Sequence, residues 1–211
     1  MPTLHLVPKD IAELYEVHEW RNAAGVLSTS RPTEWQEVLE TLRLFRLYRS
    51  EIVSPGGSKS KIANRFDAEL KQRGWVEKQF KTAIELDGKR LDSPTHKIDC
   101  YKNHVALEVE WNNKDPFYDR DLNNFRLLFD LRAIEVGIII TRCSHLQEIF
   151  NALGRGPSYG NSTTHMDKLL TRIDGGAGGG CPVLVFGISK ELYIEDEAGQ
   201  IEVTASEGSD D

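Results

Sequence analysis

The sequence lacks any long apolar run. Its most hydrophobic continuous stretch, Val136-Gly-Ile-Ile-Ile140, is five residues long, far short of the ~18 needed to cross a bilayer. The opening MPTLHLVPKD has no charged segment leading into an apolar one, so no secretory signal is expected. Cysteine is scarce: Cys100, Cys143 and Cys181 are odd in number and far apart. That spacing excludes a disulfide framework and a CxxC zinc pattern, and leaves reduced thiols in a cytoplasmic protein as the expectation. The glycine run Gly175-Gly-Ala-Gly-Gly-Gly180 comes before an apolar run instead of after one, and no Walker lysine motif is present. A phosphate-cradling loop follows a strand and opens a helix, so this run reads as a surface connection.

Positive charge is also in deficit, with a formal net of −7. The deficit is local. From Glu191 onward there are eight acids and no Lys or Arg, and removing them takes the first 190 residues from −7 to +1. The body is therefore close to neutral, which does not exclude a nucleic-acid partner: counter-charge need line only one groove. The expected organisation is one domain over residues 1–195, with a helical part at 1–75 and a sheet core at 76–190. Residues 196–211 form an acidic tail without apolar periodicity and are expected to be disordered.

Within the first part, residues 8–21 carry Ile11, Leu14, Tyr15 and His18 at helical spacing. A second helix is expected from Ser30 or Thr33 to Arg49, burying Trp35, Val38, Leu39, Leu42 and Phe45. Arg43, Arg46 and Arg49 recur every three residues on its other side, as a solvated face or a phosphate contact. A flexible basic turn at 54–61 leads to a third helix over 62–73, ending at Gly74. Beyond it come expected strands at 79–86, 96–101, 105–111, 136–141 and 181–188, a turn at Asp87-Gly88, and an amphipathic helix at 119–132. Strands interleaved with helices around apolar β-runs indicate a mixed α/β fold.

The chemistry lies in Lys97-Ile-Asp-Cys-Tyr-Lys-Asn-His-Val-Ala-Leu-Glu-Val-Glu-Trp111. With Asn103-His104 as a two-residue hairpin loop, Asp99 falls opposite Glu108, and Lys97 opposite Glu110. Glu110 shares the face of Glu108 because side chains alternate along a strand. Opposed acids repel unless a cation lies between them, and Mg²⁺ is held by one or two carboxylates together with water and phosphate oxygens. Asp99 and Glu108 are the candidate ligands, with Glu110 as proton acceptor or further ligand. From spacing alone, a solvated face neutralised by Lys97 and Lys102 is equally admissible.

An Asp followed nine residues later by Glu-x-Glu or Glu-x-Gln resembles the active site of the BglII, BstYI and BamHI group of type II restriction endonucleases, a branch of the PD-(D/E)xK nucleases. The spacing is that of the BglII and BstYI members. The likeness continues through Val105–Lys114, Phe117 and the following helix, Val136–Ile140, Pro157-Ser-Tyr, and Pro182–Ile188, and upstream through Ser54-Pro and Leu70–Trp75, so that it spans residues 52–190. It implies a PD-(D/E)xK fold with a central mixed sheet flanked by helices. It implies a homodimer that cuts both strands of duplex DNA, with Mg²⁺, at a short palindrome with a GATC core (RGATCY-like), leaving 5′-phosphates. The chain departs at Glu110, where the BglII and BstYI members carry Gln and BamHI carries Glu. The family's fourth active-site position falls near Glu77.

The resemblance further places base-reading residues at Asn112, Asn113 and Lys114, whose side chains suit adenine and guanine edges. A second reading loop is implied at 155–164, with Arg155, Ser158 and Asn161 as candidates. Lys59, Lys61, Arg65 and Lys114 are candidates for phosphate contacts. Two alternatives share the fold: a repair or defence nuclease without strict palindromic specificity, and a DNA-binding relative without activity.

Overall fold

The computed structural model describes residues 2–54, 60–160 and 162–196. In chain order the elements are α1 (Lys9–Leu14), β1 (Tyr15–Trp20), α2 (Ala23–Ser30), α3 (Pro32–Leu44), β2 (Leu47–Tyr48), α4 (Arg49–Val53) and α5 (Lys61–Gln72). There follow β3 (Val76–Lys78), β4 (Ala83–Leu86), β5 (Lys89–Asp92), β6 (Ile98–Lys102), β7 (Val105–Glu110), α6 (Pro116–Asp130), β8 (Val136–Arg142), α7 (Gln147–Ala152), α8 (Met166–Asp174), β9 (Val183–Ile188) and β10 (Tyr193–Ile194). Six strands make one mixed sheet in the order β1-β9-β8-β7-β6-β3. Its centre, β7-β8-β9, is parallel, and the pairs β1–β9, β6–β7 and β3–β6 are antiparallel.

Alternation along the central strands divides the apolar side chains between two cores. Leu107, Val109, Ile138, Ile140, Leu184 and Phe186 pack under the helices that precede β6, with Leu39, Leu42 and Phe66. Ala106, Ile139, Val183 and Val185 face the other way, under Tyr118, Leu122, Phe125 and Leu128 of α6 and Leu169 of α8. A parallel centre buried on both faces needs such a helix layer on each side. The sheet is thus flanked by helices, as the α/β expectation requires. Among the described residues no helix is long and apolar enough to cross a membrane.

Three expectations change. Residues 8–21 are not one helix: α1 stops at Leu14, and Tyr15–Trp20 is an edge strand paired with β9 from Tyr15↔Ile188 to Trp20↔Val183. Tyr15, Val17 and Trp20 are strand formers, and pairing with a finished sheet overrides a weak helical period. The helix expected to Arg49 ends at Leu44, where Phe45 turns extended; β2 then pairs with β10, and Arg49 opens α4. Consequently Arg43, Arg46 and Arg49 do not share a helix face. Arg43 pairs with Asp10 at 2.5 Å, Arg46 donates to Arg43 O at 2.9 Å, and Arg49 pairs with Glu195 at 3.0 Å.

The strand expected at 79–86 is divided: β3 joins the sheet, while β4 and β5 form a separate hairpin. Its turn is at Asp87-Gly88 as expected, with both residues at positive φ, the geometry of a two-residue hairpin loop. Helices α7 and α8 lie in stretches to which the sequence reading assigned no element. The third helix agrees closely; the Ser60 hydroxyl accepts the Ala63 N–H at 3.0 Å and caps α5. The acidic segment from residue 197 lies outside the described residues.

Candidate active site

The hairpin register is as the spacing requires. Lys102 pairs with Val105, Tyr101 with Ala106 and Cys100 with Leu107, around Asn103 and His104 at φ +41° and +66°. At the next pair the ladder gives way to side chains. The Asp99 N–H donates to Glu108 Oε2 at 3.2 Å, and the Val109 N–H donates to Asp99 Oδ2 at 3.3 Å. Two carboxylates have replaced two backbone carbonyls. The substitution satisfies the amides and fixes both acids where β6 and β7 part.

Helix α6 covers the acidic face. Tyr118, Leu122, Phe125 and Leu128 anchor it in the core, and one turn of the same face presents Asp121, fully buried, and Asn124. Arg120 reaches Glu110 Oε1 at 3.3 Å and Asp121 Oδ1 at 2.7 Å, with its guanidinium 4.2 Å from the centre of the Phe117 ring. Asn113 Nδ2 donates to Glu110 Oε2 at 2.7 Å. Glu108 and Glu110 are each 1% exposed. Burial pushes the Glu108 carboxyl well above the usual range, with the Asp121 and Asp99 charges adding to it. Burial, then the Asp121 charge, pushes Glu110 up to about 9; burial also raises Asp121. Carboxylates kept out of water in like-charged company are a mark of a functional site.

Among the described residues, two buried carboxylate oxygens have no hydrogen-bond partner: Glu108 Oε1 and Asp121 Oδ2. Oxygen lone pairs directed into a buried acidic site suit a hard divalent cation. The acids are nevertheless not already gathered around a point. The group of three ligand-type side chains whose donor atoms lie within 4.8 Å of one another is Glu16, Cys143 and His145, which the sequence reading did not single out. In that group Glu16 also bonds His18 Nε2 at 2.8 Å, and His145 Nε2 accepts from Lys190 N at 3.2 Å.

Glu77 is exposed and pairs with Lys97 at 2.8 Å, so Lys97 serves Glu77 and not Glu110. Glu77 and Asp99 line one cavity of about 530 Å³, together with Trp75 and with Asp67 of α5. Asp67 and Asp121 were both missed by sequence reading. The available signal was an acid at helical spacing from buried apolar residues: Asp67 between Ala63 and Leu70, and Asp121 between Tyr118 and Phe125.

The two expected base-reading segments are brought together. Lys114 bridges Thr163 in antiparallel fashion, Thr164 N donates to Asn113 O at 2.8 Å, and Asn113 N donates to Thr164 Oγ1 at 3.1 Å. Buried Arg142, at the end of β8, holds the second segment through Thr164 O at 3.0 Å and Tyr159 O at 2.8 Å. Sequence reading missed this anchor. Lys114 and Ser158 are exposed; Asn112 stands at φ +56°. The Arg155 guanidinium donates to Ser54 O at 3.3 Å.

Among the phosphate candidates, Lys61 is exposed, with its ammonium 3.3 Å from Ser54 Oγ. Arg65 is committed elsewhere. It pairs with Glu51 at 3.0 Å, donates to Arg46 O at 2.8 Å and stacks on Phe45 and Tyr48. Lys59 and Asn161 lie outside the described residues.

A mixed sheet between helix layers, carrying buried acids where a hairpin parts, defines the class as a restriction-endonuclease-like nuclease. The sequence matches the family described as restriction endonuclease BglII/BglIII over residues 15–188. The chain belongs to that family, and is a type II restriction enzyme, a site-specific deoxyribonuclease. No curated protein matches it.

Proposed function

We propose that the enzyme makes Mg²⁺-dependent double-strand cuts at a short palindrome with a GATC core (RGATCY-like), acting as a homodimer and leaving 5′-phosphates. The observation that carries this reading is the parting of β6 and β7 around Asp99 and Glu108, whose carboxylates hold backbone amides while Glu108 Oε1 stays unpaired. These two residues would hold Mg²⁺, which when bound polarises the scissile phosphodiester and acidifies its water. The positive charge of a cation beside it would hold Glu110 ionised despite its burial, and it would then take the proton from the attacking water at a carboxylate oxygen. Asn113 and Arg120 hold that carboxylate in place from either side.

Asn112 and Lys114 enter the major groove beside the second loop, where Arg155, Ser158 and Asn161 read further base edges; Asn113 joins them only on releasing Glu110. Lys59, Lys61, Arg65 and Lys114 steady the backbone; for Arg65 this requires release from Glu51. Two-fold pairing of subunits, with α6 in the seam, matches protein symmetry to the palindrome. Three buried free thiols suit a reducing cytoplasm.

Plasmid digestion with Mg²⁺, followed by sequencing of the ends, tests the reading. Fixed 5′-phosphorylated termini within one palindrome are expected. Scattered ends would instead identify a nuclease of relaxed specificity. Glu108→Ala should abolish cleavage while DNA binding stays measurable, and full activity in that variant would remove Glu108 from the site.

A further inference from the structure

We propose that Asp121 is a fourth carboxylate of the cation site, supplied by α6 and not by the sheet hairpin. The inference rests on the reading of Asp99 and Glu108 as metal ligands. It adds a residue that lies outside the Asp and Glu-x-Glu spacing altogether.

An ionisable side chain with no exposed surface is costly to keep on a helix face otherwise made of Tyr118, Leu122, Phe125 and Leu128, unless something compensates its charge. Arg120 compensates part of it, and only through Oδ1. The second oxygen, Oδ2, is buried and has no hydrogen-bond partner. Glu108, whose carboxyl feels the Asp121 charge, has an oxygen in the same condition, Oε1. The other oxygens of these acids for which bonds are seen hold donors: Glu108 Oε2 an amide, Asp99 Oδ2 an amide, and Glu110 Oε1 and Oε2 Arg120 and Asn113.

The two oxygens without donors thus belong to residues on opposite walls, strand and helix. Buried polar atoms are paired in the great majority of folded structures. Two unpaired buried acceptors on acids close enough to raise one another's affinity for protons point to a cation, directly ligated or through its water. Asp121 also lies within hydrogen-bond range of the Glu110 carboxyl, so without a metal these two acids share a proton, and a cation would take that proton's place between them. One guanidinium also cannot balance Glu110, Asp121, Glu108 and Asp99 together, whereas a divalent ion added to it can come close.

The test measures Mn²⁺ alone, by calorimetry and water-proton relaxation, on the full chain without DNA at pH 8. Wild type, Asp99→Asn, Asp121→Asn and Asp119→Asn are compared, the last being an exposed neighbour paired with Arg172. Asp99→Asn and Asp121→Asn should each weaken Mn²⁺ by roughly tenfold or more, and Asp119→Asn should bind as wild type. In EDTA, Asp121→Asn should melt at or above wild type, because the amide keeps an acceptor for Arg120 and sheds a buried charge. Its Mn²⁺-induced rise in melting temperature should be lost.

Asp121→Asn binding Mn²⁺ like wild type while Asp99→Asn does not would overturn this inference and leave the proposed function standing. A lower melting temperature with unchanged Mn²⁺ affinity would also overturn it, assigning Asp121 a structural role. Unchanged affinity in both variants would overturn the metal reading itself. Should Asp121→Asn not fold, Asp121→Ser, smaller and equally without a carboxylate, carries the same comparison.

Discussion

Replacing Glu110 by Gln separates the demands of chemistry from those of folding at one atom. Burial and Asp121 hold the Glu110 carboxyl at about 9, against 4.5 for the free group. Below pH 4.5 it is protonated in both folded and unfolded chains. As pH rises the unfolded chain ionises first, so the folded state loses stability until pH passes 9, at about 1.4 kcal/mol per unit. Between 4.5 and 8 the ceiling is about 5 kcal/mol, which relaxation and water entry reduce to about 1–3 kcal/mol.

Gln escapes this loss but has one oxygen where Glu110 has two, and those two accept from Arg120 and Asn113. Turning an amide NH₂ toward one of these donors costs about 1 kcal/mol. Glu110→Gln should therefore be about 1 kcal/mol less stable than wild type at pH 5, and up to about 2 kcal/mol more stable at pH 8. Each kcal/mol moves the melting point of a chain this size by about 2–4 °C. Urea and thermal unfolding in EDTA from pH 5 to 8.5 measure the crossing. A difference that does not change with pH, or a wild type that gains stability as pH rises over this window, refutes the electrostatic argument.

Cleavage in Mg²⁺ by Glu110→Gln should fall by about 10²-fold or more if Glu110 is the base. The same change installs the residue of the BglII and BstYI members that the motif resembles. Cleavage at the wild-type rate would show that the position serves some other purpose.

Three further outcomes are expected. Gly137→Ala places a Cβ 2.3 Å from the Phe125 ring; it should cost about 1–3 kcal/mol in urea unfolding and lower cleavage too, since α6 carries Arg120 and Asp121. Glu77→Ala should leave cleavage within about threefold of wild type, because Glu77 is exposed and engaged with Lys97; such exposed pairs contribute about 0–1 kcal/mol. Leu127 of α6 and Leu131, which follows its last residue, are exposed, 37% and 55%. If α6 lies in the dimer seam, changing both to Asp should give a monomer in sedimentation while the thermal unfolding of the monomer stays near that of wild type.

The parts of this enzyme legible in its sequence are those whose geometry is local. Asn103-His104 sets a two-residue turn, the turn sets the register, and the register places Asp99 beside Glu108 with one strand period to Glu110. Each step spans a few residues and follows from backbone geometry. Where two local readings were open, tertiary contact decided: Tyr15–Trp20 satisfied a helical period until β9 offered a partner. Asp121 was not legible, because its neighbours are set by how α6 lies on the sheet. In the sequence it is one acid beside Leu122 on an amphipathic helix. Only with Glu108 and Glu110 beneath it is it an acid without access to water. Arg142 is similar, a strand-end residue whose purpose is visible only once the loop it holds, Tyr159 to Thr164, returns to it. A motif defined along the chain therefore captures the wall of the site built by one hairpin. The opposite wall belongs to the packing, and the unpaired oxygens on both walls are what connect them.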